Sequence, residues 1–311
     1  MNPIGLALPL LAAVLTTPML RAGAAQDSGE TEVITLAPDS AERMTVPVRI
    51  GEAGPFHFLL DTGAQNTVVS RDLAARLKLP ADRSATLVGV AGTLAVQTVQ
   101  LDEVGLGRRS YYGLTAPVLE QRHIGADGIV GLDSLQDQRV LIDFRKRLIA
   151  VSDARGVGGN AGYEIVVTAR SRSGQLIMTD AVIDGIRTAV VIDTGAEGSI
   201  GNLALLRAMG RKGAALQPTA LGSVTGQTLP AELALARRLT IQQLNLDNVL
   251  IAFADAPPFA HLGLDRRPAM LLGMRELQAF ARIAIDFRTR RILFDLPDSR
   301  TPSADWPISR L

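Results

Sequence analysis

Two tetrapeptides constrain this chain more than anything else in it. Asp61-Thr62-Gly63-Ala64 and Asp193-Thr194-Gly195-Ala196 stand 132 residues apart. Each closes a short apolar run, Phe58-Leu59-Leu60 in one case and Val190-Val191-Ile192 in the other. An acid delivered to the end of a buried strand costs free energy unless something beside it stabilises it. The same acid in the same turn, twice, says that the chain is built twice and that the two acids share a task.

The duplication extends well beyond the turns. After the first comes SRDLAARLKL, where Ser70 is placed to cap a short helix carrying Leu73 and Leu77. After the second comes GNLALLRAMG, with Asn202 as cap and Gly210 as stop. Glycine-marked turns between β-like segments follow, LVGVAGTLAV from Leu87 and LGSVTGQTLP from Leu221. Two apolar residues and a glycine then enter a helical turn, Ile129-Val130-Gly131 matching Leu271-Leu272-Gly273. Last, VLIDFRKRLIAV and IAIDFRTRRILFDL read as hairpins around basic turns. Five features in one order predict two homologous, mainly β lobes, residues 26–151 and 163–298. The Gly-rich stretch 152–162 is read as their linker and 299–311 as a tail.

At the N-terminus an apolar run, Ile4 to Leu20, leads into small residues suited to cleavage after Ala24 or Ala25. Residues 1–25 are therefore expected to be a signal peptide, which implies a periplasmic or secreted protein. If the run were retained it would serve as a membrane anchor. Arg21 departs with the leader, which balances the remaining 31 basic residues against 31 acidic ones. That neutrality gives no footprint for a nucleic-acid partner. There is no cysteine, and the three histidines (His57, His123 and His261) lack metal-ligand spacing. They are read as surface or packing groups, and no metal or cofactor is expected.

If pseudo-twofold lobes bring Asp61 and Asp193 together, two like charges in contact do not both ionise, so one group remains an acid while the other is a base. Such a pair can activate a water and protonate a carbonyl oxygen in one step. The neighbours suit that work. The hydroxyls of Thr62 and Thr194 can bond across the junction, and the amides of Gly63 and Gly195 can donate to the carboxylates. Ala64 and Ala196 bring no hydroxyl that would pull the pair's titration down.

On these residues the chain resembles the retropepsin-type aspartic proteases, fused in tandem as in the bilobal, pepsin-like arrangement. The likeness rests on Leu60 to Ala64, Ile192 to Ala196, and the later apolar-apolar-Gly elements. It implies closed, barrel-like lobes and peptide or unfolded-protein substrates, with Asp61 and Asp193 catalytic. It also implies substrate-covering flaps at Gly89 and Gly92 and at Gly222 and Gly226. Neither candidate flap carries a tyrosine, which favours the retroviral style over the pepsin style. One chain holding both lobes should act as a monomer; a protease whose lobes pair between chains is the other arrangement, and molecular mass in solution separates the two. The alternative is an inactive peptide-binding protein on the same fold, whose signature, loss of one aspartate, is missing here. Asp143 and Asp286 repeat in Ile-Asp-Phe and are assigned to anchoring their hairpins. Asp127 and Asp133, without evident counterparts in the second half, are read as structural.

Overall fold

The computed structural model describes residues 32–35, 44–153 apart from 108 and 137, 163–210 and 216–297. The expected leader and tail lie outside the described residues. Strand β1 (Glu32–Thr35) stands first, and the first lobe then runs β2 (Thr45–Ile50), β3 (Ala53–Leu60), β4 (Val68–Ser70) and helix α1 (Arg71–Arg76). It continues through β5 (Ala81–Gly89), β6 (Gly92–Leu106), β7 (Arg109–Leu119), α2 (Gln121–Ile124) and β8 (Gly128–Val130). A hairpin of β9 (Gln138–Asp143) and β10 (Leu148–Asp153) follows.

The second half repeats the plan. It runs β11 (Ile165–Thr168), β12 (Arg170–Arg172), β13 (Gln175–Ile183), β14 (Ile186–Ile192), β15 (Ser199–Gly201) and α3 (Leu203–Ala208). Next come β16 (Gln217–Gly222), β17 (Thr228–Ile241), β18 (Leu244–Phe253), α4 (Pro257–His261), β19 (Ala269–Leu272) and α5 (Met274–Leu277). The closing hairpin is β20 (Arg282–Asp286) with β21 (Arg291–Asp295).

The first-lobe sheet has the order β2-β3-β8-β4-β7-β6-β5, and pairing of β2 with β6 closes six of those strands into a barrel. In the second lobe, β13 pairs with β17 and closes the corresponding ring. The protein is thus mainly β, with two homologous barrel-like lobes. Both helix caps form as the sequence suggests: Ser70 Oγ accepts from the Leu73 amide at 3.1 Å, and Asn202 Oδ1 from the Leu205 amide at 2.8 Å.

A third sheet belongs to neither lobe alone. Its order is β1-β10-β9-β20-β21-β11, so the hairpins at the ends of the two halves meet edge to edge. β9 and β20 pair antiparallel, Ile142 opposite Ile283 and Val140 opposite Ile285, about the pseudo-twofold axis. One face of this sheet sends Val140, Ile142, Ile149 and Val151 into the first-lobe core. The same face sends Ile283, Ile285, Ile292 and Phe294 into the second-lobe core. Apolar burial of this kind contributes roughly 25 cal/mol per Å², which ties both lobes to one platform. Asp143 and Asp286 hold the hairpin turns, accepting from the amides of Lys146 and Thr289, each at 2.8 Å. Ser152 and Asp153, read from the sequence as the start of the linker, are instead the last residues of β10. They pair with Arg139 and Gln138, a partnership that local composition does not reveal. The rest of the expected linker, 154–162, lies outside the described residues.

Candidate active site

The two Asp-Thr-Gly-Ala turns leave equivalent strands. β3 runs parallel to β8, and β14 parallel to β19, so each acid emerges beside the glycine of its apolar-apolar-Gly element. The Asp61 amide donates to Val130 O at 3.1 Å and the Asp193 amide to Leu272 O at 3.0 Å. The glycines are required there by close approach. A Cβ on Gly131 would run into the backbone of Asn66, and one on Gly273 into the backbone of Gly198.

Within each turn the carboxylate is held by its own backbone. Asp61 Oδ1 accepts from the amides of Gly63 at 2.7 Å and Ala64 at 3.0 Å. Asp193 Oδ1 accepts from Gly195 at 3.0 Å and Ala196 at 3.1 Å. Both aspartates are fully buried, at 0% exposure. They also meet. A Cβ on Gly195 would collide with the carboxyl carbon of Asp61, so the second turn lies directly on the first acid. Burial raises Asp193 well above the ordinary carboxylate range, and the charge of Asp61 raises it further. The Ala196 and Gly195 amides pull the other way without reversing the shift. The structure therefore brings the two acids together as one interacting pair.

The threonines bond reciprocally across the junction. The Thr62 amide donates to Thr194 Oγ1 at 3.0 Å, and the Thr194 amide to Thr62 Oγ1 at 3.2 Å. Each hydroxyl donates in turn to the opposite strand, Thr62 Oγ1 to Ile192 O at 2.9 Å and Thr194 Oγ1 to Leu60 O at 2.8 Å.

With this geometry in place, comparison with known families is direct. A family model described as aspartyl protease matches residues 46–134 and 179–275, one segment in each lobe and together more than half of the chain. The chain belongs to the aspartyl protease family. No match was found among curated proteins.

Other parts of this family member depart from the sequence reading or go beyond it. Gly89 and Gly92 face each other across the tip of the β5–β6 hairpin. Gly222 ends β16 opposite Thr228, and Gly226 lies in the longer tip Ser223–Gln227 with φ +79°. The two tips are thus unequal in length. Asp133 does have a partner in the second half. It accepts from Thr67 Oγ1 at 2.7 Å, while Ser199 Oγ donates to Glu276 at 2.5 Å. The same two hydroxyls accept from the amides of Gly131 and Gly273. Glu replaces Asp and stands one position later, which hides the correspondence in the sequence. Asp127 also has a sequence counterpart, in the repeated pattern His123-Ile-Gly-Ala-Asp127 and His261-Leu-Gly-Leu-Asp265. Two of the three histidines, His123 and His261, are therefore equivalent, and Gly125 and Gly263 both take positive φ, 78° and 60°. Each of these two touches the other lobe: His261 Nε2 lies 3.3 Å from Gln65 Nε2, and Gly226 packs on the His123 ring.

Gln175 is the residue that sequence reasoning missed most completely. It comes from the second lobe and is 3% exposed, and its Nε2 donates at 2.5 Å to Gly63 O in the first Asp-Thr-Gly-Ala turn. Nothing in the local sequence marks it, because its role depends on the other lobe. Among the described residues no group of three or more His, Cys, Asp or Glu is arranged to hold a metal ion.

Proposed function

We propose that this protein is an aspartic endopeptidase in which Asp61 and Asp193 hydrolyse peptide bonds with one activated water. The observation that carries the reading is the buried, mutually contacting carboxylate pair, each member fixed through Oδ1 by two turn amides. The ionised member takes a proton from water as the water oxygen bonds to the peptide carbonyl carbon. The protonated member gives its proton to the carbonyl oxygen. Collapse of the tetrahedral intermediate breaks the C–N bond: the nitrogen leaves with the proton that came from water, and one hydroxyl of the intermediate returns a proton to the carboxylate that had protonated the carbonyl oxygen.

Thr62, Gly63, Ala64, Thr194, Gly195 and Ala196 hold this pair in register, and the hairpin tips at Gly89, Gly92, Gly222 and Gly226 cover the substrate. Both acids come from one chain, which supports action as a monomer. The apolar N-terminal run supports export, with the enzyme periplasmic, secreted or anchored at a membrane.

The test is cleavage of an unfolded protein by the purified enzyme across pH 3–8, beside Asp61→Asn and Asp193→Asn. Cleavage by the parent and none by either variant is expected. Equal cleavage by all three would overturn the reading.

A further inference from the structure

The tips of the two covering hairpins carry the same short pattern, Leu87-x-x-Val90-x-Gly92 and Leu221-x-x-Val224-x-Gly226. A residue at the tip of a hairpin ordinarily faces water. Here Val90 is 1% exposed and Val224 is 0% exposed. The hairpins cross, and each valine is buried in the lobe that did not supply it. Val90 joins the second lobe's outer apolar cluster with Val191, Ile200, Leu221 and Leu271. Val224 joins the first lobe's outer cluster with Leu59, Ala64, Val68 and Ile129. The stem leucines stay at home, Leu87 in the first-lobe cluster and Leu221 in the second.

The crossing is close along its length. Gln227 Nε2 reaches Thr93 O at 3.5 Å, a Cβ on Gly89 would stand 2.6 Å from Ser223 Oγ, and β5 touches α4 of the opposite lobe. Beneath this cover Asp61 and Asp193 have no exposure at all, so no peptide reaches them unless the tips part. The clusters that receive the valines adjoin the acids. Ala64 lies in the first catalytic turn itself, and Leu59 and Val191 stand two residues before Asp61 and Asp193. An extended peptide lying across the pair would set its side chains against these same two clusters.

We propose that Val90 and Val224 are built-in surrogates for substrate side chains. Each fills the opposite lobe's pocket, together they seal the carboxylate pair, and the small aliphatic side chains of an extended peptide displace them. This rests on the protease reading but makes a separate claim about what opens the cleft. It assigns a substrate class: unfolded segments with Val, Ile or Ala on both sides of the cleaved bond. A charged side chain entering such a pocket would lose its hydration with no partner in return.

The chain has no cysteine, so a double variant gives a clean test. Gly89→Cys with Ser223→Cys places two thiols where the tips cross, with disulfide formation read by mass and by non-reducing electrophoresis. The probe is a fluorescent peptide with valines flanking a reduced, non-hydrolysable bond, its binding read by anisotropy. The disulfide should form, and the oxidised protein should bind the probe at least about tenfold more weakly than the same protein after reduction. In the parent, replacing the probe's valines with lysine or glutamate should weaken binding by a similar factor. Thiols that stay free under oxidant, a locked form that binds as well as the reduced one, or equal binding of the charged probes would each overturn the proposal. Because none of these readouts needs hydrolysis, an enzyme that closes and binds as described yet cleaves nothing would sink the protease reading alone.

Discussion

Thr62 and Thr194 tie the two lobes together with four hydrogen bonds: each amide donates to the other's hydroxyl, and each hydroxyl donates to a carbonyl of the other's strand. The exchange is buried, with Thr62 3% and Thr194 4% exposed. It makes the relative position of the two acids a property of the backbone, independent of flexible side chains. Thr194→Ala leaves the Thr62 amide and Leu60 O buried without these partners and should cost about 1–3 kcal/mol of stability. Thr194→Ser keeps the hydroxyl and should restore most of it. Urea unfolding of the two variants beside the parent measures the difference. Activity should follow, since a misplacement on the order of 1 Å can cost about a hundredfold.

The raised titration of Asp193 also bears on stability. A carboxyl whose folded pKa lies above its unfolded value binds more protons in the folded state between the two values. Its contribution is fully present below the ordinary value near 3.8 and is lost as pH rises through the folded value. Asp193→Asn imitates the protonated form and keeps an oxygen for the two turn amides. It should therefore raise Tm at pH 7, change it little near pH 3, and abolish activity. Thermal melts at the two pH values decide this; a variant less stable than the parent at pH 7 would contradict it.

Ala64 and Ala196 are fully buried against the acids and carry no hydroxyl. A serine in either place adds a donor to a carboxylate and stabilises its charged form. Ala196→Ser should shift the pH–rate profile of peptide cleavage toward acid, while the parent should work toward pH 5–7. Cleavage by the parent confined below about pH 4 would refute the assignment.

Gln175 braces the first Asp-Thr-Gly-Ala turn through Gly63 O. Gln175→Leu retains the approximate volume but removes the donor and should cost about 1–3 kcal/mol. If positioning is its role, kcat should fall with KM little changed, and Gln175→Asn should not recover it because the shorter side chain falls short. Steady-state kinetics beside a urea melt separates this from a general loss of folding.

The sequence made the duplication legible because each copy carries chemistry that tolerates few alternatives. The Asp-Thr-Gly-Ala turns and the caps Ser70 and Asn202 obey local constraints, and the glycines at 131 and 273 repeat because the same backbone approach, to Asn66 and to Gly198, recurs in each lobe. Where a pair was satisfied by different residues, as Thr67 with Asp133 and Ser199 with Glu276, residue-by-residue matching lost the correspondence. The His-x-Gly-x-Asp repeat at 123–127 and 261–265, by contrast, is written in the sequence itself.

What the sequence by itself determined is therefore the plan: two mainly β lobes, one acid in each, and hairpins that pair off at the end of each half. Periodicity, turn chemistry and caps act over a few residues, and they are written wherever those residues are. Tertiary structure alone decided how the halves engage. It set the shared six-stranded sheet, Gln175 reaching into the other lobe's turn, and the exchange of Val90 and Val224 between lobes. The reason is physical. Burial and hydrogen bonding between segments more than a hundred residues apart depend on which surfaces meet, and no local pattern in a valine or a glutamine states which surface that will be.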